Sequence, residues 1–283
     1  MDVSTFLAER QLISTAGGEI GYAEFGSGPA AVFVHGIGTS GLLWREVVER
    51  VRDTSRCIAL DLPLHGGTPA RDDLSVGAMA EAVADLCDSL GLSQVDLVGN
   101  DTGGAVAQVF AGRHPERIRS LVLTNCDTEG NLPPPEFAPV INLARKGELA
   151  ASLVAIVTNP AAWRTSPLAA GYENPDQIAD EVFRANLTPI GGTMERARHF
   201  ERLLAALDPA DLESVSPALR SLDAPTLLVW GTADTTFGIK WAYQLRDTIP
   251  GARDIIEVQG AKVFFPEERP DDLIPHLRRH WGR

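Results

Sequence analysis

The residues with the clearest chemical potential in this 283-residue chain gather around Asp101, in the run VDLVGNDTGGA from Val95 to Ala105. Apolar residues lead into a tight turn flanked by Gly99 and Gly103, a helical pattern follows, and one acidic side chain stands at the apex. Such a turn lifts its apex residue clear of the sheet, and the glycines let strand and helix approach closely. A carboxylate placed there can carry a proton, or attack an sp³ carbon of an epoxide or alkyl halide to form an alkyl ester. Two further acids follow predicted strands: Asp234, in VWGTADTTFG, and Asp127, which either serves as a second acid or caps the start of the next segment. The backbone N–H groups around His35-Gly36-Ile37 and of Thr102 are the available donors to charge forming near Asp101.

Six histidines are present, and their settings differ. His35 ends a strand and is read as shaping its loop; His65 and His114 lie in loop and helix-end settings. His199 sits on a polar helix, either solvated or turned toward a pocket. His276 and His280 fall in the closing helix, where a rise of 1.5 Å per residue carries His276 roughly 15 Å beyond Pro266. Nothing in the pattern asks for a metal or a cofactor.

The elements that position these residues follow from periodicity. An opening hairpin spans residues 9–15 and 19–25 around Gly17-Gly18, and residues 30–36 form a strand apolar enough to be buried on both faces. Helix over 42–51, strand over 57–60, helix over 76–90, strand over 95–98, a helix to about His114 and strand over 120–124 continue a βα rhythm. That rhythm predicts a mostly parallel sheet of about eight strands with helices on both faces. Residues 129–204 are Pro-rich at first (NLPPPEFAP) and then helical, with no strand. Strand and helix resume at PTLLVWG (225–231), over 240–248, 254–258 and 271–280. The expected division is a core of 1–127 and 205–283, with a helical cap of 128–204 over the edge that carries Asp101.

Composition narrows the rest. With 44% hydrophobic residues the chain can bury a large core, and a net charge of −13 argues against nucleic acid or an anionic membrane as partner. No 18-residue apolar run and no secretory pattern are seen, so a cytoplasmic protein, monomer or homodimer, is expected. Cys57, Cys87 and Cys126 read as buried free thiols. The three lysines among 25 basic residues suggest a GC-rich bacterial genome.

Taken together, the HG pair after the third strand, the Gly-x-Asp-x-Gly turn and the acid after the next-to-last strand resemble the α/β-hydrolase superfamily over nearly the whole chain. The branch resembled is that of the Asp-nucleophile epoxide hydrolases and haloalkane dehalogenases. The resemblance implies Asp101 as nucleophile, Asp234 (or Asp127) as acid, and a histidine after the last strand. The segment there is EVQGAKVFFPEERPDD, which puts Val263 in the histidine's place, with Lys262 beside it. Ile37 and Thr102 stand where the dehalogenases hold halide with Asn and Trp, and HGIG replaces the HG-x-P of epoxide hydrolases. Trp163, Tyr172 and His199 are the possible cap contributors, with Tyr172 the one candidate proton donor. Trp163, Phe137 and Phe264 are expected to wall an apolar pocket above Asp101.

Without a base, an Asp101 ester would lack the 10²–10⁴-fold help of an activated water. The leading expectation is an enzyme on a small hydrophobic substrate that has left hydrolysis, such as epoxide opening coupled to cyclisation or C–C bond formation. Asp101 would be acid, base or anchor, its pKa pushed by Asp234. The alternatives are a hydrolase whose histidine was lost or replaced, and a non-catalytic ligand binder.

Overall fold

The runs AAVFV, VDLVGND and TLLVWG have every residue buried, as strands covered on both faces must. In the computed structural model, which describes residues 1–283, they are the centre of one eight-stranded sheet. Its strands are β1 (Arg10–Thr15), β2 (Gly18–Phe25), β3 (Ala30–Val34), β4 (Arg56–Leu60), β5 (Val95–Asp101), β6 (Ile118–Cys126), β7 (Thr226–Gly231) and β8 (Ala252–Val258). The order is β1-β2-β4-β3-β5-β6-β7-β8, antiparallel where β1 meets β2 and β2 meets β4, and parallel everywhere else. Reversal of direction of travel at β3 puts the loops after β3 and β5 side by side at one edge, the usual place for a ligand in open α/β sheets.

The helix Thr102–Arg113 follows β5 and is buried along nearly its whole length. It packs on the helix Val76–Ser89, whose first turn is capped by Ser75 accepting from the Ala78 N–H at 3.1 Å. Its other neighbour, the helix Ala210–Leu219, is not marked by periodicity; Pro217 near its end obscures the pattern. The predicted helix over 42–51 is a 3₁₀ turn Gly41–Trp44 running into Arg45–Val51.

Between β6 and β7 the chain forms only helices. Apart from Ala210–Leu219, which lies on the core, the longer ones are Ala138–Lys146, Ala150–Val157, Asp180–Gly191 and Met194–Ala205, which pack chiefly on one another. Glu201 holds two of them together by accepting from the Leu149 and Ala150 N–H groups at 2.6 and 3.0 Å. No helix in the molecule is long and apolar enough to cross a membrane.

Candidate active site

Asp101 ends β5 with φ 56° and ψ −136°, a backbone conformation that costs a non-glycine residue about 1–3 kcal/mol. Two close approaches hold it there. A Cβ on Gly103 would run into the carbonyl oxygens of Val34 and His35, so only glycine lets the helix start this close to β3. A Cβ on Gly36 would collide with the Asp101 carboxyl, so the loop after β3 passes directly against the acid. The Ile37 and Thr102 N–H groups lie where they favour the ionised form of the Asp101 carboxyl.

His35 and His65 are structural. The Leu62 N–H donates to His35 Nε2 at 2.9 Å, and the Gly38 N–H donates to His65 Nε2 at 3.2 Å. A backbone N–H can only donate, so in both rings the proton lies on Nδ1, facing the carbonyls of Gly36 and Pro63 respectively. The rings meet edge to face at 5.2 Å. Burial keeps both neutral: His35 is held well below the usual range and His65 is lowered to about 4. His114 caps the far end of the helix Thr102–Arg113, and His280 lies near Leu121 and Pro225 at the opposite end of the sheet. Phe200, rather than His199, is the residue its helix turns toward His65, and His199 is left half-buried.

Both candidate acids, Asp127 after β6 and Asp234 after β7, act on Asp101. Asp234 is consumed by its own loop: Oδ1 accepts from the N–H groups of Thr236 and Phe237 at 2.9 and 3.0 Å, and Oδ2 accepts from Asn125 at 3.1 Å. The acid whose charge most affects Asp101 is Asp127, with Asp234 a weaker influence. Thr102 links the two, donating its hydroxyl to Asp127 Oδ2 at 2.8 Å. Burial and the neighbouring acid push Asp101 well above the carboxylate range, and burial raises Asp127 to about 7.

Val263 is anchored beside the elbow through its carbonyl, which accepts from Asn100 Nδ2 at 2.8 Å, and its side chain lies against Gly171 of the insert. Lys262 turns outward, its Nζ donating to the Ala170 carbonyl at 3.3 Å. Asn100 and Asn125 are not singled out by the motif, though a polar residue inside an otherwise buried apolar strand is a signal for both. Asn125 ties β6 to β7 by exchanging hydrogen bonds with Gly231.

Trp163 and Tyr172 are built into the packing of the insert. Trp163 lies inside the insert, donating from Nε1 to the Val157 carbonyl at 3.0 Å and facing Phe183. Tyr172 is fully buried between Phe183 and Phe264, and its hydroxyl donates to Glu267 Oε2 at 2.8 Å, so it is not a free donor above Asp101. Phe137 stands at the start of the helix Ala138–Lys146, half-buried. Asp101 is 9% exposed, and two surface clefts lie away from it, around Gln108–Leu212 and Glu129–Trp241. The insert is seated firmly on the core: besides the Tyr172 contact, Ser40 donates to Asn186 Oδ1 at 2.7 Å and the Phe264 N–H donates to the Gly171 carbonyl at 3.2 Å.

Sheet order, glycine elbow and helical insert define a class. Residues 29–268 match the family model for the alpha/beta hydrolase fold, and the chain belongs to that family. It is 26% identical to haloalkane dehalogenase 2 of Mycobacterium tuberculosis, covering 99% of this chain and 98% of that protein. It is 24% identical to a cis-3-alkyl-4-alkyloxetan-2-one decarboxylase of Shewanella oneidensis, over 95% of this chain and 87% of the other. Among solved structures, haloalkane dehalogenase DbeA from Bradyrhizobium elkani superposes with a TM-score of 0.81 at 22% identity, covering 96% of this chain and 97% of that one. Epoxide hydrolase CorEH gives 0.79 at 22% identity, over 96% and 98%. The two structures speak to the fold.

Proposed function

We propose that this protein is an enzyme that acts on a small, uncharged, largely apolar molecule by proton transfer at Asp101, without consuming water. The observation that carries the reading is the company Asp101 keeps. It is buried at the elbow beside another buried acid, with a third nearby, and the histidines that could serve it are either locked neutral in the loops or placed elsewhere in the fold. A buried carboxyl in that company keeps its proton toward neutral pH and can give it to a substrate oxygen. No histidine of the kind that activates water to turn over an alkyl ester is free beside it.

A fitting reaction is the isomerising opening of a strained oxygen ring. The Asp101 proton passes to the ring oxygen, the C–O bond breaks with its electron pair going to oxygen, and a nucleophile within the same molecule closes on the carbon. The proton that nucleophile sheds returns to the site, so the sum is an isomerisation. The names of the relatives, which speak of haloalkanes, epoxides and an oxetan-2-one, support a small and weakly polar substrate. In this reading the helical insert, residues 128–204, is the cap that excludes water.

A second reading, a hydrolase passing through an Asp101 ester, is favoured by the strained elbow and by the two N–H groups that favour its ionised form. Turnover of a panel of aliphatic epoxides and epoxy-alcohols in ¹⁸O-water separates the two. Unlabelled isomers are expected from the unmodified protein, and loss of turnover with binding retained is expected for Asp101→Asn. Labelled diols, or ¹⁸O accumulating in Asp101, would return the protein to the hydrolases.

A further inference from the structure

Asp127, the alternative acid after β6, is the buried carboxyl whose hydrogen bonds are incomplete. It is 0% exposed, and its main-chain carbonyl accepts from Gln108 Nε2 at 2.8 Å, which fixes it against the helix Thr102–Arg113. Thr102, the residue after Asp101, donates its hydroxyl to Asp127 Oδ2 at 2.8 Å, so the elbow itself carries the link to the second acid. The other oxygen, Asp127 Oδ1, is buried and meets no donor in the protein. Buried carboxyl oxygens are seldom left bare, because removing one from water without a partner is costly.

We propose that Asp127 is a second catalytic carboxyl, whose bare Oδ1, beside the oxygen that the Thr102 hydroxyl holds, accepts the hydroxyl of a hydroxylated, uncharged substrate. This deepens the reading of Asp101 as a proton carrier and rests on it. In the ring-opening step, Asp101 protonates the ring oxygen while Asp127 takes the proton from the substrate's hydroxyl as that oxygen attacks carbon. One C–O bond breaks and another forms. Asp101 ends ionised and Asp127 protonated, and passage of one proton between them restores the site. The substrate class is then an epoxide, or similar strained ring, bearing a hydroxyl placed to close on it.

The charged and titratable surroundings agree with this division. Facing the pair are Cys126 on β6 and Asp234 after β7; Lys262, the nearby cation, acts on Asp234. Thr102 favours the ionised form of Asp127, and the Asp127 charge in turn favours the protonated form of Asp101. A site with this many acids disfavours carboxylate and phosphate ligands.

The test needs no turnover. In protein carrying ¹³C at the Asp carboxyl carbons, the Asp101 and Asp127 signals are assigned by difference with Asp101→Asn and Asp127→Asn and then titrated. Asp127→Asn keeps the acceptor for Thr102 but removes the charge, and is expected to lower the pH at which Asp101 titrates by at least about one unit. Thr102→Val, a second and independent variant, is expected to raise the titration of Asp127. Calorimetry with 4,5-epoxydecan-1-ol and 4,5-epoxydecane reads the ligand side. The hydroxylated probe is expected to bind on the order of ten-fold more tightly to the parent and to lose that preference in Asp127→Asn. An Asp101 titration unmoved by Asp127→Asn, or no preference for the hydroxyl in the parent (including no binding of either probe), overturns the proposal. The ¹⁸O experiment judges the non-hydrolytic reading separately, because neither measurement here depends on whether water is consumed.

Discussion

A buried carboxyl costs the fold stability once the pH removes its proton. Burial raises the Asp127 carboxyl above the ordinary 3.8, so the folded state binds its proton more tightly than the unfolded chain does. That contribution is complete below pH 3.8 and is lost as pH rises through the folded-state value. His65 runs the other way, since lowering its pKa from 6.5 to about 4 makes stability fall as pH falls through that window. Replacing Asp127 by Asn leaves the His65 effect in place and removes the Asp127 one. Asp127→Asn is therefore expected to be more stable than the parent at pH 8 and close to it near pH 4, measured by urea denaturation at both pH values. A constant difference across pH would show that the Asp127 carboxyl is ionised in the fold throughout. At this scale Asp101 was legible, because its turn announces it. The linkage to Asp127 was not: a sequence shows that Asp127 follows a strand, but not that the Thr102 hydroxyl reaches it.

At the scale of elements, most of the sheet could be read directly, since a strand buried on both faces must be apolar throughout and β3, β5, β6 and β7 come close to that. The helix Ala210–Leu219 could not be read, because its assignment depends on a packing partner, the helix Thr102–Arg113, rather than on its own pattern. The elbow shows how much a single position can carry. Gly103→Ala places a methyl group on the β3 carbonyls, which are backbone and cannot step aside, so the helix must shift away from the sheet. A loss of roughly 3 kcal/mol is expected in chemical denaturation, together with loss of the Thr102–Asp127 hydrogen bond. An alanine variant as stable as the parent would mean that the elbow can relax without strain.

At the scale of the whole molecule, the insert and the loop after β8 are stitched together over a short stretch of each. Residues 170–174 meet residues 262–268 through Lys262 to Ala170, Phe264 to Gly171, Tyr172 to Glu267, and the Glu173 and Asn174 N–H groups to the Glu268 carboxylate at 2.7 and 2.9 Å. Glu267 is also paired with Arg45, so the contact reaches into the core. Tyr172→Phe removes one buried, charge-assisted bond and leaves the Arg45–Glu267 pair intact. Hydrogen exchange across residues 167–174 is expected to quicken by about 10- to 100-fold, with global stability falling by less than the full unfolding free energy. Unchanged protection would show that the joint does not depend on the tyrosine hydroxyl. None of these pairings was visible beforehand, because each joins residues about 90 apart whose types are ordinary on their own.

The same joint bears on how such a protein can be recombined. Because Val263 and Phe264 rest on Gly171 and Tyr172, the loop that borders Asp101 takes its shape from the insert as much as from the sheet. A chimaera that imports a relative's insert while keeping the native 262–268 would bring a foreign residue against Val263 and leave Glu267 and Glu268 facing strangers. The heritable unit is thus two separated stretches of chain. Exchanged together they carry the shape of the site with them; exchanged singly, they break it.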